Sequence, residues 1–230
     1  MRVVAIIQAR MSSQRLPGKV LLRLDDRPLI EHLCEALRHA RTLDQFVLAT
    51  SIEPSDDAIA YYAREHDIRC HRGSLDHVAE RMLAAARDSS ADVLVRISGD
   101  SPLLDPMLID QAVDLFLREG TDIVTNVRPR SFPKGQSVEV MSATAFAQAV
   151  ARMSTVEERE HVTPYFYAHP EQFNIRSIVA TRPRPEVQLS VDTAKDLARC
   201  ESIMRRLPSP PWQAGWEACV AQYDAVAAAS

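Results

Sequence analysis

A loop rich in cations and small residues follows the first apolar run of the chain. Residues 8–19 read Gln-Ala-Arg-Met-Ser-Ser-Gln-Arg-Leu-Pro-Gly-Lys, which places Arg10, Arg15 and Lys19 in one short segment. A polyphosphate needs such a loop, because its charge must be met by side-chain cations and by backbone N–H groups that approach closely. Gly18 permits that approach. The loop matches neither the Walker A pattern nor G-x-G-x-x-G, and a solvated basic turn is the alternative interpretation.

Two carboxylates follow apolar runs further along the chain. Asp100 belongs to the turn Gly99-Asp100 after the run at 93–97, and Asp192 ends the run at 187–191. Mg²⁺ prefers one or two protein carboxylates together with phosphate oxygens and water. The pair therefore predicts a metal–phosphate site, although each residue could instead cap a turn or helix.

Three further segments carry polar groups suited to a nucleotide or a sugar. Arg72-Gly73-Ser74 follows a short apolar run and offers donors to a nucleotide, whereas 132–136 and 158–161 carry Lys134, Gln136 and the sequence Glu-Arg-Glu-His. Arginine and lysine suit a carboxylate or a phosphate. For 158–161 a solvated helix face is the alternative, because charged helical runs usually face water.

The elements that must position these residues follow an α/β pattern. Apolar runs predict strands at 3–8, 45–50, 68–71, 93–97 and 122–126, and helical patterns fill the gaps between them. One such helix spans 106–118, with Asp105 as N-cap and Pro106 at its first position. This alternation predicts a Rossmann-like, mostly parallel sheet whose carboxyl edge binds the ligand.

The pattern changes from about residue 135. We expect a strand at 137–141, helices at 142–152 and from 155, and a strand at 173–180. Together these elements predict a small inserted α+β lobe. The chain is then expected to return to the sheet at 187–191. Thr193 and Asp196 form a capping-box pattern before the next helix, and 212–227 predicts a last surface helix. We predict one domain over 1–230 with its lobe at about 133–182.

Composition narrows the class of protein. The chain has 230 residues, 46% hydrophobic and 25% charged, which is typical of a soluble globular protein. Its net charge of −4 gives no electrostatic footprint for duplex nucleic acid. The N-terminal apolar run is too short to span a membrane. Four widely spaced cysteines suggest neither a zinc site nor a disulfide framework, so a cytoplasmic location is expected.

The motifs together resemble a known family. Ala9-Arg10, Ser13, the run 15–19 and Pro28-Leu29-Ile30 are similar to the opening of the 3-deoxy-manno-octulosonate and acylneuraminate cytidylyltransferases, and Gly-Asp-x-Pro-Leu at 99–103 and Val-Asp-Thr at 191–193 follow in the same order. Arg-Gly-Ser at 72–74, Pro-x-Gly-x-x-Val-Glu-Val at 133–140 and Arg-Glu-His-Val-Thr-Pro-Tyr at 159–165 look closest to the spore-coat-polysaccharide branch. Ser98 stands where the sugar-acid enzymes often carry Gln, and Arg96 precedes it.

The resemblance implies a nucleotide-diphospho-sugar transferase fold, Mg²⁺ as cofactor, CTP and an anionic sugar as substrates, and a homodimer built through the lobe. It implies no nucleic acid and no membrane as partners. The residues predicted to carry catalysis are Arg10, Arg15, Lys19 and Asp100, with Asp100 and Asp192 on the metal. Those predicted to bind the nucleotide are Gln8, Ala9, Arg10, Ser13, Lys19, Arg72, Gly73, Ser74, Arg96, Ser98 and Gly99. Those predicted to bind the sugar are Lys134, Gln136, Glu139, Glu160 and His161.

The implied reaction is transfer of CMP from CTP to an acidic sugar for surface polysaccharide synthesis, with release of pyrophosphate. Two other functions remain open from the residues alone. A glycosyltransferase of similar architecture would carry an Asp-x-Asp metal motif, whereas the nearest pairs, Asp25-Asp26 and Asp56-Asp57, are adjacent residues outside the expected ligand edge. A non-catalytic protein could use the same loop to bind nucleotide without turnover.

Overall fold

A computed structural model describes residues 1–228 of the chain. Its main sheet has seven strands, and a separate two-stranded hairpin lies beside it. The strands are β1 (Val3–Gln8), β2 (Arg23–Leu24), β3 (Arg27–Pro28), β4 (Gln45–Ser51), β5 (Arg69–Gly73), β6 (Val93–Ser98), β7 (Ile123–Thr125), β8 (Glu139–Ser142) and β9 (Ile175–Ser177). The order in the main sheet is β5-β4-β1-β6-β8-β7-β9. Among the described strands of the main sheet, only β8 runs antiparallel to both of its neighbours.

Helices cover both faces of the sheet. They are α1 (Leu29–Arg38), α2 (Asp57–Glu65), α3 (Val78–Asp88), α4 (Pro106–Glu119), α5 (Ala143–Arg152), α6 (Val156–His161), α7 (Pro164–Ala168), α8 (Ala194–Met204), α9 (Pro211–Ala214) and α10 (Trp216–Ala228). Helices α1, α2 and α4 contribute to the apolar core on one face, whereas α3, α5 and α7 contribute to the core on the other. A third apolar cluster joins α8 and α10 to the segment 187–191.

Strand β1 shows why the sheet is buried on both sides. Val3, Ala5 and Ile7 pack into one core, while Val4 and Ile6 pack into the other. Side chains alternate across a strand, so a strand covered by helices on both faces must be apolar at every position. The first polar side chain of β1 is Gln8, at the carboxyl end.

The structure confirms the predicted fold class and most elements. Helix α4 begins at Pro106, and the Asp105 carboxylate accepts a hydrogen bond from the Met107 N–H at 2.9 Å. The capping box at Thr193 and Asp196 is present and begins α8. The predicted strands at 137–141 and 173–180 are shorter, and both belong to the main sheet as β8 and β9.

The predicted strand at 187–191 is wrong. Gln188 forms a single isolated bridge with Lys134, and the segment is held instead by backbone hydrogen bonds from the Lys134 N–H to the Val187 carbonyl and from the Leu189 N–H to the Lys134 carbonyl. Gly135 has φ of +94°, and a Cβ there would lie 2.6 Å from the Ser190 nitrogen. The apolar run is buried under α8 and α10 rather than in the sheet. The predicted helix at 212–227 is divided into α9 and α10 at Gly215.

Within residues 1–228, none of the helices has both the length and the apolar character needed to cross a membrane.

Candidate active site

A cavity of about 420 Å³ opens at the carboxyl ends of β1 and β6, the edge that the sequence indicated. The loop after β1, the turn after β6, helix α6 and the residue before the α8 cap form its walls. Its lining residues are Gln8, Ala9, Arg10, Ser13, Gln14, Arg15, Lys19, Val20, Ser98, Gly99, Asp100, Glu160 and Asp192. The structure therefore gathers the cationic loop and both predicted metal-binding carboxylates around one space.

The loop at 9–19 is closed by its own backbone. Gly18 has φ of +71°, and its N–H donates to the Met11 carbonyl at 2.8 Å. The loop is also anchored from outside, because the Met11 N–H donates to the buried Asp56 carboxylate at 2.7 Å. This anchor was missed in the sequence because Asp56 lies in a different turn of the chain.

Asp56 is ionised in spite of its burial. Burial alone would raise the pKa of its carboxyl, but hydrogen bonds from the Met11 N–H, the Ser51 N–H and the Ser51 hydroxyl together hold that pKa below its ordinary value. The carboxylate thus fixes the loop to the end of β4.

Lys19 lies at the centre of the site. Its Nζ lies 2.6 Å from Asp100 Oδ2, 3.0 Å from Asp192 Oδ1 and 2.8 Å from the Val191 carbonyl oxygen. A lysine ammonium has three N–H donors, and these three acceptors use all of them. Its side chain is only 11% exposed.

The two carboxylates are also held on their other oxygens. Asp100 Oδ1 accepts hydrogen bonds from the Ser98 hydroxyl at 2.8 Å and from the Ser101 hydroxyl at 3.3 Å. Asp192 Oδ2 accepts one from Gln188 Nε2 at 3.2 Å. Because neutral groups make these bonds, the orientation of each carboxylate does not depend on Lys19 alone.

Asp192 faces two cations. Arg15 Nη2 lies 2.8 Å from Asp192 Oδ1, the same oxygen that Lys19 contacts. Burial would raise the pKa of Asp192, but the hydrogen bond and charge of Lys19, with the charge of Arg15, hold it below its ordinary value. Thr193, not Asp192, caps α8. Capping therefore does not account for Asp192, since its side chain points to the cations.

The donor set fits a magnesium ion carried by a nucleotide. Asp100 Oδ2 and Asp192 Oδ1 converge on one cation, Nζ of Lys19. Residues 1–228 contain no group of three or more His, Cys, Asp or Glu side chains that could hold a metal by themselves. Two carboxylate oxygens with substrate phosphates and water match the ligand preference of Mg²⁺.

Arg10 and Glu160 form the opposite wall of the cavity. Arg10 Nη2 lies 3.2 Å from Glu160 Oε1, and both side chains are about a third exposed. Glu160 is held over the cavity by α6, which Thr155 and Glu158 begin with a capping box. Val162, two residues after Glu160, has φ of +72° and ψ of −65°, the geometry of a tight γ-turn. The neighbouring His161 is exposed and does not line the cavity.

A part-buried cluster of polar side chains lies beside the cavity, on β6, β8 and α7. Arg96 Nη1 lies 2.6 Å from Glu139 Oε2, and the Tyr167 hydroxyl donates to the other Glu139 oxygen. Arg96 Nη2 donates to Gln8 Oε1 at 3.4 Å, which connects this group to the cavity wall. Burial and the neighbouring Glu139 charge raise the pKa of Tyr167, so that its hydroxyl stays a donor.

The structure places several predicted binding residues away from the cavity. Arg72 donates to the carbonyl oxygens of Ser51 and Glu53 at 2.9 and 3.0 Å and pairs with Asp57 at 2.7 Å. Arg72 and Gly73 end β5, Ser74 follows them, and none of the three lines the cavity. Lys134 is exposed but lies outside the cavity lining.

Gln136 also lies outside the cavity. Its side chain is fully buried, Oε1 accepts from the Asp105 N–H at 2.9 Å, and Nε2 donates to the Leu103 carbonyl at 2.5 Å. Both ends of the amide are therefore occupied by backbone groups. Gln188, which donates to Asp192, was not predicted. The signal for it was a polar residue inside the apolar run 187–191 that ends beside Asp192.

Comparisons with known proteins identify the family of the chain. The cytidylyltransferase family model matches residues 4–207. MJ1063 of Methanocaldococcus jannaschii is 37% identical over 198 residues, covering 85% of this chain and 80% of that protein. The spore coat polysaccharide biosynthesis protein SpsF of Bacillus subtilis is 29% identical over 217 residues, covering 91% and 89%. A cytidylyltransferase structure from Leptospira borgpetersenii superposes with a TM-score of 0.93 at 28% identity, covering 99% of this chain and 96% of that one. With the family model spanning nearly all of the sheet and the site, the chain belongs to the cytidylyltransferase family.

Proposed function

We propose that the protein transfers CMP from CTP to an acidic sugar, such as a nonulosonic acid or a sugar like 3-deoxy-manno-octulosonate, and releases pyrophosphate. The observation that carries this proposal is the convergence of Asp100 and Asp192 on one cation, at the rim of a cavity that also holds Arg10 and Arg15. A triphosphate with its metal has the complementary charge and size.

The proposed chemistry is a single displacement. An acceptor oxygen attacks the α-phosphorus of CTP, a new P–O bond forms, and the bond from the α-phosphorus to the bridging oxygen of the β-phosphate breaks. The acceptor hydroxyl loses its proton, and pyrophosphate leaves with the electron pair. No covalent enzyme intermediate is required.

Several residues of the loop would take part in that displacement. Arg10, Arg15 and Lys19 would neutralise the triphosphate, while the Ser13 hydroxyl and the loop N–H groups would donate to its oxygens. Gln8, Ala9, Ser98 and Gly99 would line the nucleotide. Asp100 and Asp192 would hold Mg²⁺, which when bound supplies further neutralisation of the charge on the phosphates.

The acceptor would bind near two acidic residues, one in the cavity wall and one behind it. Glu160 lines the cavity directly, and Glu139 lies behind it through Arg96 and Gln8. We place the acceptor on this side, opposite Lys19. Arg72, Gly73, Ser74, Lys134, Gln136 and His161 would contact substrates only after their segments move.

We also propose where the protein acts and how it assembles. We propose a cytoplasmic homodimer that uses residues 133–182 for assembly, with a role in surface polysaccharide synthesis. The resemblance in sequence to the spore-coat-polysaccharide branch supports both statements.

The test is a pyrophosphate-release assay with CTP, Mg²⁺ and a panel of acidic sugars that includes 3-deoxy-manno-octulosonate and N-acetylneuraminate. We expect release with at least one acid and none with its neutral alcohol counterpart. CTP binding without release on any acid would favour a nucleotide-binding protein. Consumption of a nucleotide sugar in place of CTP would favour a glycosyltransferase.

A further inference from the structure

The contacts of Lys19 present a conflict with its proposed role on the triphosphate. All three of its N–H donors already reach acceptors within the protein, on Asp100, Val191 and Asp192. Little of the side chain is exposed. Lys19 can therefore bind a phosphate oxygen only by releasing at least one of these acceptors.

The position that Lys19 holds is the one suited to a metal ion. Its Nζ contacts one oxygen of each carboxylate, Asp100 Oδ2 and Asp192 Oδ1. The opposite oxygens are fixed by Ser98, Ser101 and Gln188. The pair would consequently keep its orientation after the ammonium leaves.

The charges of this cluster balance without a metal. Lys19 and Arg15 carry two positive charges, and Asp100 and Asp192 carry two negative charges. A free divalent cation entering beside Lys19 would meet an ammonium a few ångströms away, in a part-buried setting where charge repulsion is strong. A metal that arrives on a triphosphate brings the anionic oxygens to which Lys19 can move.

We propose that Lys19 is an internal substitute for the metal ion. It holds Asp100 and Asp192 together in the nucleotide-free protein, excludes free divalent cations, and exchanges its carboxylate partners for phosphate oxygens when the metal enters with the nucleotide. This inference rests on the proposed binding of a metal–triphosphate at this site. It makes metal binding depend on the nucleotide, because only the nucleotide offers Lys19 another partner.

The test measures Mn²⁺ binding by electron paramagnetic resonance in the absence of nucleotide. In Lys19→Met the two carboxylates lose their internal cation, so the Kd for Mn²⁺ should fall by about tenfold or more relative to the unsubstituted protein. Arg15→Met is the matched control, since Arg15 contacts Asp192 but not Asp100; its Kd should change by less than about threefold, because a more exposed cation is better screened.

The contrary results are equally specific. An unchanged or higher Kd in Lys19→Met overturns the proposal, and an equal effect in Arg15→Met shows a general loss of positive charge rather than an exchange at one position. If Lys19→Met does not fold, Lys19→Gln takes its place with the same expectation, because its amide can still donate to one carboxylate. The measurement needs neither CTP nor an acceptor, so a failure to bind CTP would overturn the proposed function without altering this result.

Discussion

The two sides of the cavity are built differently. On the side proposed for the triphosphate (the phosphate side), Lys19 from the loop after β1, Asp100 from the turn after β6 and Asp192 from the end of the run 187–191 meet at the rim of the sheet. On the side proposed for the acceptor (the acceptor side), Arg96, Glu139 and Tyr167 lie on three separate elements and are joined by part-buried side-chain contacts. The residues of the first side belong to short sequence motifs and line the cavity, whereas those of the second lie within strands and a helix and do not line it. This difference separates residues expected to govern chemistry from residues expected to govern stability.

The largest effect is expected on the phosphate side. Asp100→Asn should lower turnover by roughly 100-fold or more, because a neutral amide replaces a metal-binding carboxylate at the site of developing charge. The pyrophosphate-release assay measures turnover, and circular dichroism checks that the fold is unchanged. Ser98→Ala, which removes only a hydrogen bond to the same carboxylate, should cost much less. Full activity in Asp100→Asn would remove this residue from the metal site.

A substitution on the acceptor side should mainly lower the stability of the protein. Glu139→Gln leaves Arg96 without its ion-pair partner at a buried position, and the free energy of unfolding should fall by about 2 kcal/mol. Urea unfolding followed by circular dichroism measures it. Glu160→Gln, on the more exposed pair with Arg10, should change it by less than about 0.5 kcal/mol. Equal effects in the two variants would abolish the distinction between the sides.

Arg10 and Glu160 should shift nucleotide affinity in opposite directions. Arg10→Gln removes a cation from the triphosphate and should weaken CTP binding by about tenfold. Glu160→Gln releases Arg10 from its carboxylate partner, and because that pair is solvent-exposed, affinity should rise only about twofold. Titration calorimetry at constant ionic strength measures both. A loss of affinity in Glu160→Gln would mean that this carboxylate supports the nucleotide instead of competing for Arg10.

Asp56 should make the loop anchor dependent on pH. Its folded-state pKa is depressed, so its contribution is present above the unfolded pKa of about 3.9 and is lost as pH falls through the lower folded pKa. Asp56→Asn should therefore be less stable than the parent protein by about 1 kcal/mol at pH 7. This difference in the free energy of unfolding should shrink at a pH below the unfolded pKa of about 3.9. Urea unfolding at both pH values measures the difference, and one of constant size would exclude Asp56 as the titrating anchor.

The same contrast explains what the sequence could predict. Asp100 and Asp192 were identifiable because each comes just after an apolar run, and Lys19 because it ends the cationic loop that follows the first strand. The parallel strands β1 and β6 bring the loop and Asp100 to one edge of the sheet. Helix α4 and the α8 capping box were identifiable from local caps. These signals all lie within a few residues of the feature that they predict.

Long-range contacts could not be predicted in this way. The run 187–191 has the composition of a strand but is paired with the Lys134 backbone and buried under α8 and α10, since three-dimensional packing overrides local preference. Gln136 and Arg72 resemble ligand-binding residues in sequence, yet both satisfy backbone carbonyls outside the cavity. Whether a polar residue faces a ligand or the protein depends on which distant backbone groups need a partner.

We propose that this cavity binds CTP together with a divalent metal. Calorimetric titration of CTP, UTP, ATP and GTP, each with and without Mg²⁺, tests it most directly. We expect CTP with Mg²⁺ to bind at least about tenfold more tightly than ATP or GTP, as a pyrimidine-specific site requires, and we expect Asp100→Asn to remove the gain from Mg²⁺. Equal affinity for all four nucleotides, or CTP binding that Mg²⁺ does not change, would exclude this cavity as a site for CTP with a metal.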